Sequence, residues 1–335
     1  MRIQEHRGPD GAVGAAPDLT ALPATARSTA RERAAIARAP WSRRRETRHG
    51  PWLDEARAFG EIDVAFDGDD GILWCYMNPR GRPSVTATLA GESRSLQRLV
   101  AERQDTPPLG DSLPVRYMVW GSRLPGIFNL GGDLALFAQL IRARDRQRLI
   151  DYATACIDVV YMNAVNLDRP LITVSLVQGD ALGGGFEAAI SSNVVIAERR
   201  AKFGLPEVLF NLFPGMGAYS LIARKIGAAA AERMIFSGRV YSAPELYDLG
   251  LVDELAEDGA GEETVHRFIA QNSRRHAARC SVYRAGRLVN PISYQELQDI
   301  AVLWVDTALK LDESDLKRMA RLAAAQDRRL AEAAD

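Results

Sequence analysis

Three consecutive glycines between an apolar strand and a helix constrain this chain more than any other feature. Residues Leu171–Val208 read LITVSLVQGDALGGGFEAAISSNVVIAERRAKFGLPEV. The run LITVSLV predicts a strand apolar enough to be buried on both faces, and Gly183, Gly184 and Gly185 follow it. Glycine lets two backbones approach closely, and at a helix N-terminus it leaves N–H groups free to face an anion. Glu187 lies just inside the following helix, beside Phe186, Ala188, Ala189 and Ile190. Glu207 stands twenty positions later, behind Pro206 and among Leu205, Val208, Leu209 and Phe210. A carboxyl group in such apolar surroundings has a raised pKa and suits acid–base work.

The glycines alone would fit a tight turn with no ligand. They are not a P-loop, because no Gly-Lys-Ser/Thr follows, and they lack the dinucleotide-binding spacing. A second glycine turn, NLGGD at Asn129–Asp133, follows the apolar segment VRYMVWG and its loop. Gly132 offers a second N–H. Paired with Gly184 it would form an oxyanion hole, worth roughly 3–4 kcal/mol per donor to a transition state. The plainer reading of NLGGD is a turn in which Asp133 caps a helix.

Around this stretch the sequence predicts alternating strands and helices. EIDVAFD and GILWCYM flank the turn Gly68–Gly71 as a hairpin. Helical spacing runs over Ser84–Gln104 and Asp145–Asn166, and NVVIAE is a further strand. Beyond Gly215 the pattern is helical over Ala218–Ile226, Ala228–Phe236, Ala243–Leu249, Glu262–Ala278, Tyr294–Lys310 and Glu313–Ala334. This order predicts an α/β core with a helical C-terminal region. Residues 1–50 carry ten Arg against five acids and few aromatic residues, and predict a flexible extension. Within it, Thr25–Ala39 has short helical spacing, and Arg43, Arg44 and Arg45 read as part of a solvated arm.

Composition removes several classes of function. Net charge is −1, so no global signature of nucleic-acid binding is expected. No apolar run approaches the ~20 residues of a membrane helix, and the N-terminus lacks the apolar core of a secretory signal. Cys75, Cys156 and Cys280 are far apart and read as reduced thiols of a cytoplasmic protein. The four histidines are remote from the glycine-rich stretch, so neither a histidine triad nor a histidine metal site is expected.

The order NLGGDL, QGDALGGGFEAAIS, AKFGLPEVLFNLFPGMGAYSLIARKIG, FSGRVYSAPELYDLGLVDEL is similar to the crotonase superfamily of enoyl-CoA hydratases and isomerases. The resemblance implies a ββα spiral core over residues 51–255, a helical oligomerisation region over 256–335, and a trimer-based homo-oligomer. It places an acyl thioester's carbonyl between the N–H groups of Gly132 and Gly184, with Glu187 and Glu207 as the catalytic pair. The fuller text QGDALGGGFEAAISSNVVIAE with FGLPEVLFNLFPGMGAYS and a C-terminal helix pair resembles the diffusible-signal-factor synthases. Those quorum-sensing enzymes dehydrate a 3-hydroxyacyl thioester on acyl carrier protein to a cis-2-enoyl thioester and hydrolyse it to the free acid.

That likeness also implies an acyl pocket with Met216, Trp304 and Leu322. It implies no separate cofactor, since the phosphopantetheine of acyl carrier protein or CoA arrives with the substrate. A sensor kinase's receiver domain is an expected partner. MNPRGRPSVTATL stands where the superfamily usually has an Asn-Ala-Leu phrase, so contacts to a CoA adenine do not carry over. Two alternatives stand beside this reading. One is an enoyl-CoA hydratase or isomerase of fatty-acid metabolism. The other is a non-catalytic crotonase-like protein that binds a partner.

Overall fold

A computed structural model describes residues 51–105 and 114–334. The N-terminal extension, its short helix and its arginine cluster lie outside the described residues.

Helix α1 (Pro51–Arg57) leads into the hairpin β1 (Ile62–Asp67) and β2 (Ile72–Met77). The strands pair antiparallel around Gly68–Gly71, as the turn residues predict. Helix α2 (Ala87–Gln104) starts where the Thr86 side chain accepts the Leu89 N–H. Then come β3 (Tyr117–Ser122), β4 (Ile127–Asn129), α3 (Leu134–Arg142) and α4 (Arg146–Ala164). The next turn holds β5 (Ile172–Val177), β6 (Asp180–Leu182), α5 (Gly184–Ile190), β7 (Val194–Glu198) and β8 (Lys202–Gly204). A 3₁₀ turn at Pro206–Phe210 carries Glu207 and precedes α6 (Ala218–Ile226) and α7 (Ala228–Ser237). The chain continues through β9 (Val240–Ser242), α8 (Ala243–Asp248), β10 (Glu254–Ala256) and α9 (Gly261–Asn272). It closes with α10 (His276–Val289), α11 (Tyr294–Ala308) and α12 (Glu313–Ala334).

The strands fall into two sheets. A six-stranded sheet has the order β1-β2-β3-β5-β7-β10, and a four-stranded sheet the order β4-β6-β8-β9. Successive passes send one strand to the large sheet and the next to the small one: β3 then β4, β5 then β6, β7 then β8. Pairing along the passes is parallel. This is the ββα spiral that the motif order implies.

Both faces of the large sheet are covered, so β5 is buried throughout, with the hydroxyls of Thr173 and Ser175 hydrogen-bonded. Ile72, Trp74 and Tyr76 pack on one face with Val265, Phe268 and Ile269 of α9. Leu73, Cys75 and Met77 enter the main core on the other. The three-residue strands β4, β6, β8, β9 and β10 were not legible in the sequence, being too short for a two-residue period to register. The helix expected over Glu262–Ala278 breaks at a 3₁₀ turn, Ser273–Arg275, and resumes as α10 to Val289.

Candidate active site

The two glycine turns meet because β4 and β6 are neighbours in the small sheet. Gly131 has φ +92°, and a Cβ there would lie 2.8 Å from the Leu182 carbonyl and 3.1 Å from the Gly184 N–H nitrogen. A Cβ built on Gly184 would lie 3.7 Å from the Gly132 nitrogen. The backbones are thus closer than side chains would permit. Asn129 fixes the first turn by accepting the Gly131 N–H on its Oδ1 at 2.8 Å. Asp133 caps α3, accepting the N–H groups of Ala135 and Leu136. The close-packing reading of the glycines and the capping reading of Asp133 therefore hold, and neither competes with a site. Gly132 and Gly184 both line one cavity, together with Glu187 and Glu207.

Glu187 is 1% exposed. Its Oε1 accepts the backbone N–H groups of Met216 at 2.8 Å and Ala218 at 2.9 Å. Ala218 opens α6, so this carboxylate sits at a helix N-terminus, where negative charge is favoured. Glu207 approaches from the 3₁₀ turn. Its Oε1 lies so near Gly183 that a Cβ there would come within 2.6 Å of it. The Glu207 Oε2 is enclosed with no hydrogen-bond partner among the described residues.

Burial pushes both carboxyl groups above the ordinary range. The charge of Glu187 raises Glu207 further, while the two N–H donors pull Glu187 back. The two N–H donors favour negative charge on Glu187, and Glu207 has no comparable donor on its Oε2.

Apolar and aromatic groups form the rest of the wall. Trp304 and Phe137 meet edge to face with ring centroids 5.1 Å apart, and Phe137 meets Tyr152 at 4.9 Å. A Cβ on Gly132 would strike the Phe137 ring at 2.5 Å. One on Gly215 would strike Trp304. Met216 and Trp304 line the cavity, as the sequence resemblance implies, but Leu322 is not among its lining residues. Leu316, Met319 and Ala323 are buried along α12, and Leu322, half-buried three positions after Met319, packs against the core beside them. Sequence reading also missed Phe137, Tyr152, Trp120 and Asn163 as wall residues. The helical periodicity of Asp145–Asn166 marked a buried face without showing that part of it borders a void.

None of the described residues lining the cavity is Lys, Arg or His. Among the described residues, no helix is long and apolar enough to cross a membrane.

Comparison with known proteins agrees with this geometry. The family model for enoyl-CoA hydratase/isomerase matches residues 110–285. The chain is similar to mitochondrial methylglutaconyl-CoA hydratase of Rattus norvegicus, 30% identical over 237 residues, or 70% of each chain. The matches to the mouse and human forms span about half of each protein, 53% and 49%. It is also similar to cyclohexa-1,5-dienecarbonyl-CoA hydratase of Thauera aromatica, 34% identical over 143 residues, 40% of this chain and 55% of that one. In fold it is similar to enoyl-CoA hydratase from Bacillus halodurans, with TM-score 0.65, 20% identity and coverage of 78% and 100%. Pseudomonas aeruginosa DspI gives TM-score 0.54, 21% identity and coverage of 72% and 84%. With the glycine turns, the glutamate pair and the spiral in place, the chain belongs to the enoyl-CoA hydratase/isomerase family, the crotonase superfamily.

Proposed function

We propose that this chain dehydrates a 3-hydroxyacyl thioester to a 2-enoyl thioester and then hydrolyses it to the free cis-2-unsaturated acid, as a diffusible-signal-factor synthase does. The observation that carries the acyl-thioester chemistry is the pair of glutamates and the two glycine turns lining one apolar cavity.

The thioester oxygen accepts the N–H groups of Gly132 and Gly184, which stabilises the enolate formed as the C2 proton leaves. Glu207 lies against Gly183, next to the carbonyl site, and so stands by C2. Glu187 begins one helical turn further along α5 and so stands by C3. In the hydrating direction Glu187 takes a proton from water as it adds at C3, and Glu207 gives its proton to C2. Dehydration is the reverse and starts from the state with the pair's proton on Glu187. Glu207 then takes the C2 proton while Glu187 protonates the departing hydroxyl. For hydrolysis a carboxylate activates water against the same carbonyl, and the same two donors hold the tetrahedral intermediate.

The wall supports one class of acyl group over another. The acyl group named for the rat relative carries a second carboxylate, and no basic residue is among the described residues lining this cavity. An uncharged acyl chain is the better fit. The signal-synthase specificity, acyl carrier protein as carrier, homo-oligomerisation and docking of a receiver domain rest on the sequence resemblance. The hydratase names among the relatives favour a second reading, an enoyl-CoA hydratase that works on CoA and leaves its product esterified.

The two readings separate on the product. The protein is incubated with 3-hydroxydodecanoyl groups on acyl carrier protein and, separately, on CoA, and products are identified by mass spectrometry. Free cis-2-enoic acid supports the synthase. An esterified trans-enoyl product supports the hydratase. No turnover on either carrier, with binding of a receiver domain, would leave a non-catalytic partner protein.

A further inference from the structure

We infer that the cavity is an acyl tunnel closed at its inner end by Trp120, Asn163 and Ser191, so that the substrate chain is of medium length and ends in a methyl group. The inference rests on the reading that the site takes an acyl thioester.

Two helices give the tunnel its direction. Gly184, Glu187, Ala188 and Ser191 all line it, at spacings of three, four and seven residues, which is one face of α5. The face starts at the oxyanion donor and ends at Ser191, the cap residue of that helix. On α4, Tyr152, Cys156 and Asn163 line the opposite wall. Tyr152 is at the mouth, since its hydroxyl donates to the carbonyl of Val85, whose N–H in turn donates to the Gly131 carbonyl. Asn163 is at the far end, hydrogen-bonded to Ser191. Both walls therefore run from the oxyanion turns to the same place.

That place is sealed by a hydrogen-bonded set that uses its own groups. The Asn163 Nδ2 donates to Ser191 Oγ at 2.8 Å and to Ser192 Oγ at 2.9 Å. Trp120 Nε1 donates to Asn163 Oδ1 at 3.2 Å. Ser191 Oγ donates to the Ala188 carbonyl at 2.7 Å, and Ser192 Oγ pairs with Ser175 Oγ at 2.8 Å. All of these groups are buried. Displacing one strands its partner away from water, so the set resists being pushed aside. Because the amide and indole groups are already engaged, a polar chain end arriving there would lose its water and gain little in return.

The length follows from helix rise. Seven residues of α5 and eleven of α4 separate mouth from floor, roughly 10 to 16 Å at about 1.5 Å per residue. An extended alkyl chain advances roughly 1.25 Å per bond, given C–C bonds of about 1.5 Å. The tunnel therefore takes an acyl group of about nine to fourteen carbons.

The test titrates the full-length protein with non-hydrolysable 2-oxoalkyl thioethers of six to sixteen carbons, on CoA and on acyl carrier protein, by calorimetry. Affinity should rise roughly fourfold per added methylene until the floor is reached, then level or fall. An analogue with a terminal carboxyl should bind at least about tenfold more weakly than its methyl-ended counterpart. Ser191→Leu should move the cut-off to chains shorter by two or more carbons. Ala188→Leu, three residues nearer the mouth, should move it further.

Affinity that keeps rising to sixteen carbons, or a cut-off that neither variant moves, overturns the tunnel. If the cut-off appears but no 3-hydroxyacyl thioester is turned over, the tunnel stands and the catalytic reading fails. If all lengths are turned over equally well, the catalytic reading stands and the floor is wrong. Failure of every analogue to bind overturns both.

Discussion

Two carboxyl groups line one cavity, and their different partners separate their roles. Glu187 has two backbone donors and a helix N-terminus, whereas Glu207 has one oxygen without any partner among the described residues. Glu207→Gln and Glu187→Gln should each lower kcat/KM by about 10²–10⁴-fold, the range of general acid–base catalysis, with the fold retained by circular dichroism. Near-normal turnover in either variant would remove the pair from the mechanism. The kcat/KM profile should be a bell whose two limbs both lie above the ordinary carboxylate range, because the active form carries a single proton. Stability carries the same signature. Folding raises the Glu207 pKa, so the folded state binds more protons than the unfolded one at every pH from about 4.3 upward to the folded value. Stability contributed by that proton is therefore present at low pH and lost as pH rises through the window. Glu207→Gln removes the loss. Its Tm should match the parent near pH 4 and exceed it by on the order of 2–5 °C at pH 8, by scanning calorimetry. A constant difference at both pH values would contradict the assignment.

At the scale of elements, the site is a junction between the small sheet and α5. Gly131 combines a positive φ with backbone atoms of the neighbouring turn at contact distance. Gly131→Ala should therefore cost about 2–3 kcal/mol in denaturant unfolding, from left-handed strain and overpacking together. It should also depress kcat, by shifting Gly132 away from Gly184. Equal stability with lost activity would show that packing is not what the glycine serves. This junction was legible in the motifs GGG and GGD, and Glu187 in its apolar neighbours. The sequence was silent on Phe137 and Tyr152, since a wall residue and a core residue look alike in a periodic pattern. Leu322, matched by motif, packs half-buried against the core and is not among the residues that line the cavity.

At the scale of the whole molecule, α10 stands out. Among its described residues only His276 is buried, while Val282, Leu288 and Val289 are 68%, 79% and 86% exposed. Apolar groups so exposed along one helix suit contact with another copy, in line with the trimer-based assembly proposed above. Sedimentation analysis should give a mass that is a multiple of the chain's, and Leu288→Glu with Val289→Glu should reduce it. A monomer in the parent protein would refute that assembly.

Local sequence settled what local physics controls. The buried strand β5, the cap at Asp133 and the glycine turns all follow from backbone conformation and the period of burial. The motif order conveyed the family. Which residues share one cavity was decided by the tertiary structure alone. Glu187 and Glu207 meet because β6 and β8 pair, and Trp120, Asn163 and Ser191 meet because β3, α4 and α5 converge. Such contacts join residues far apart in sequence, and only the folded chain brings them within hydrogen-bonding range or sets which of them loses its water.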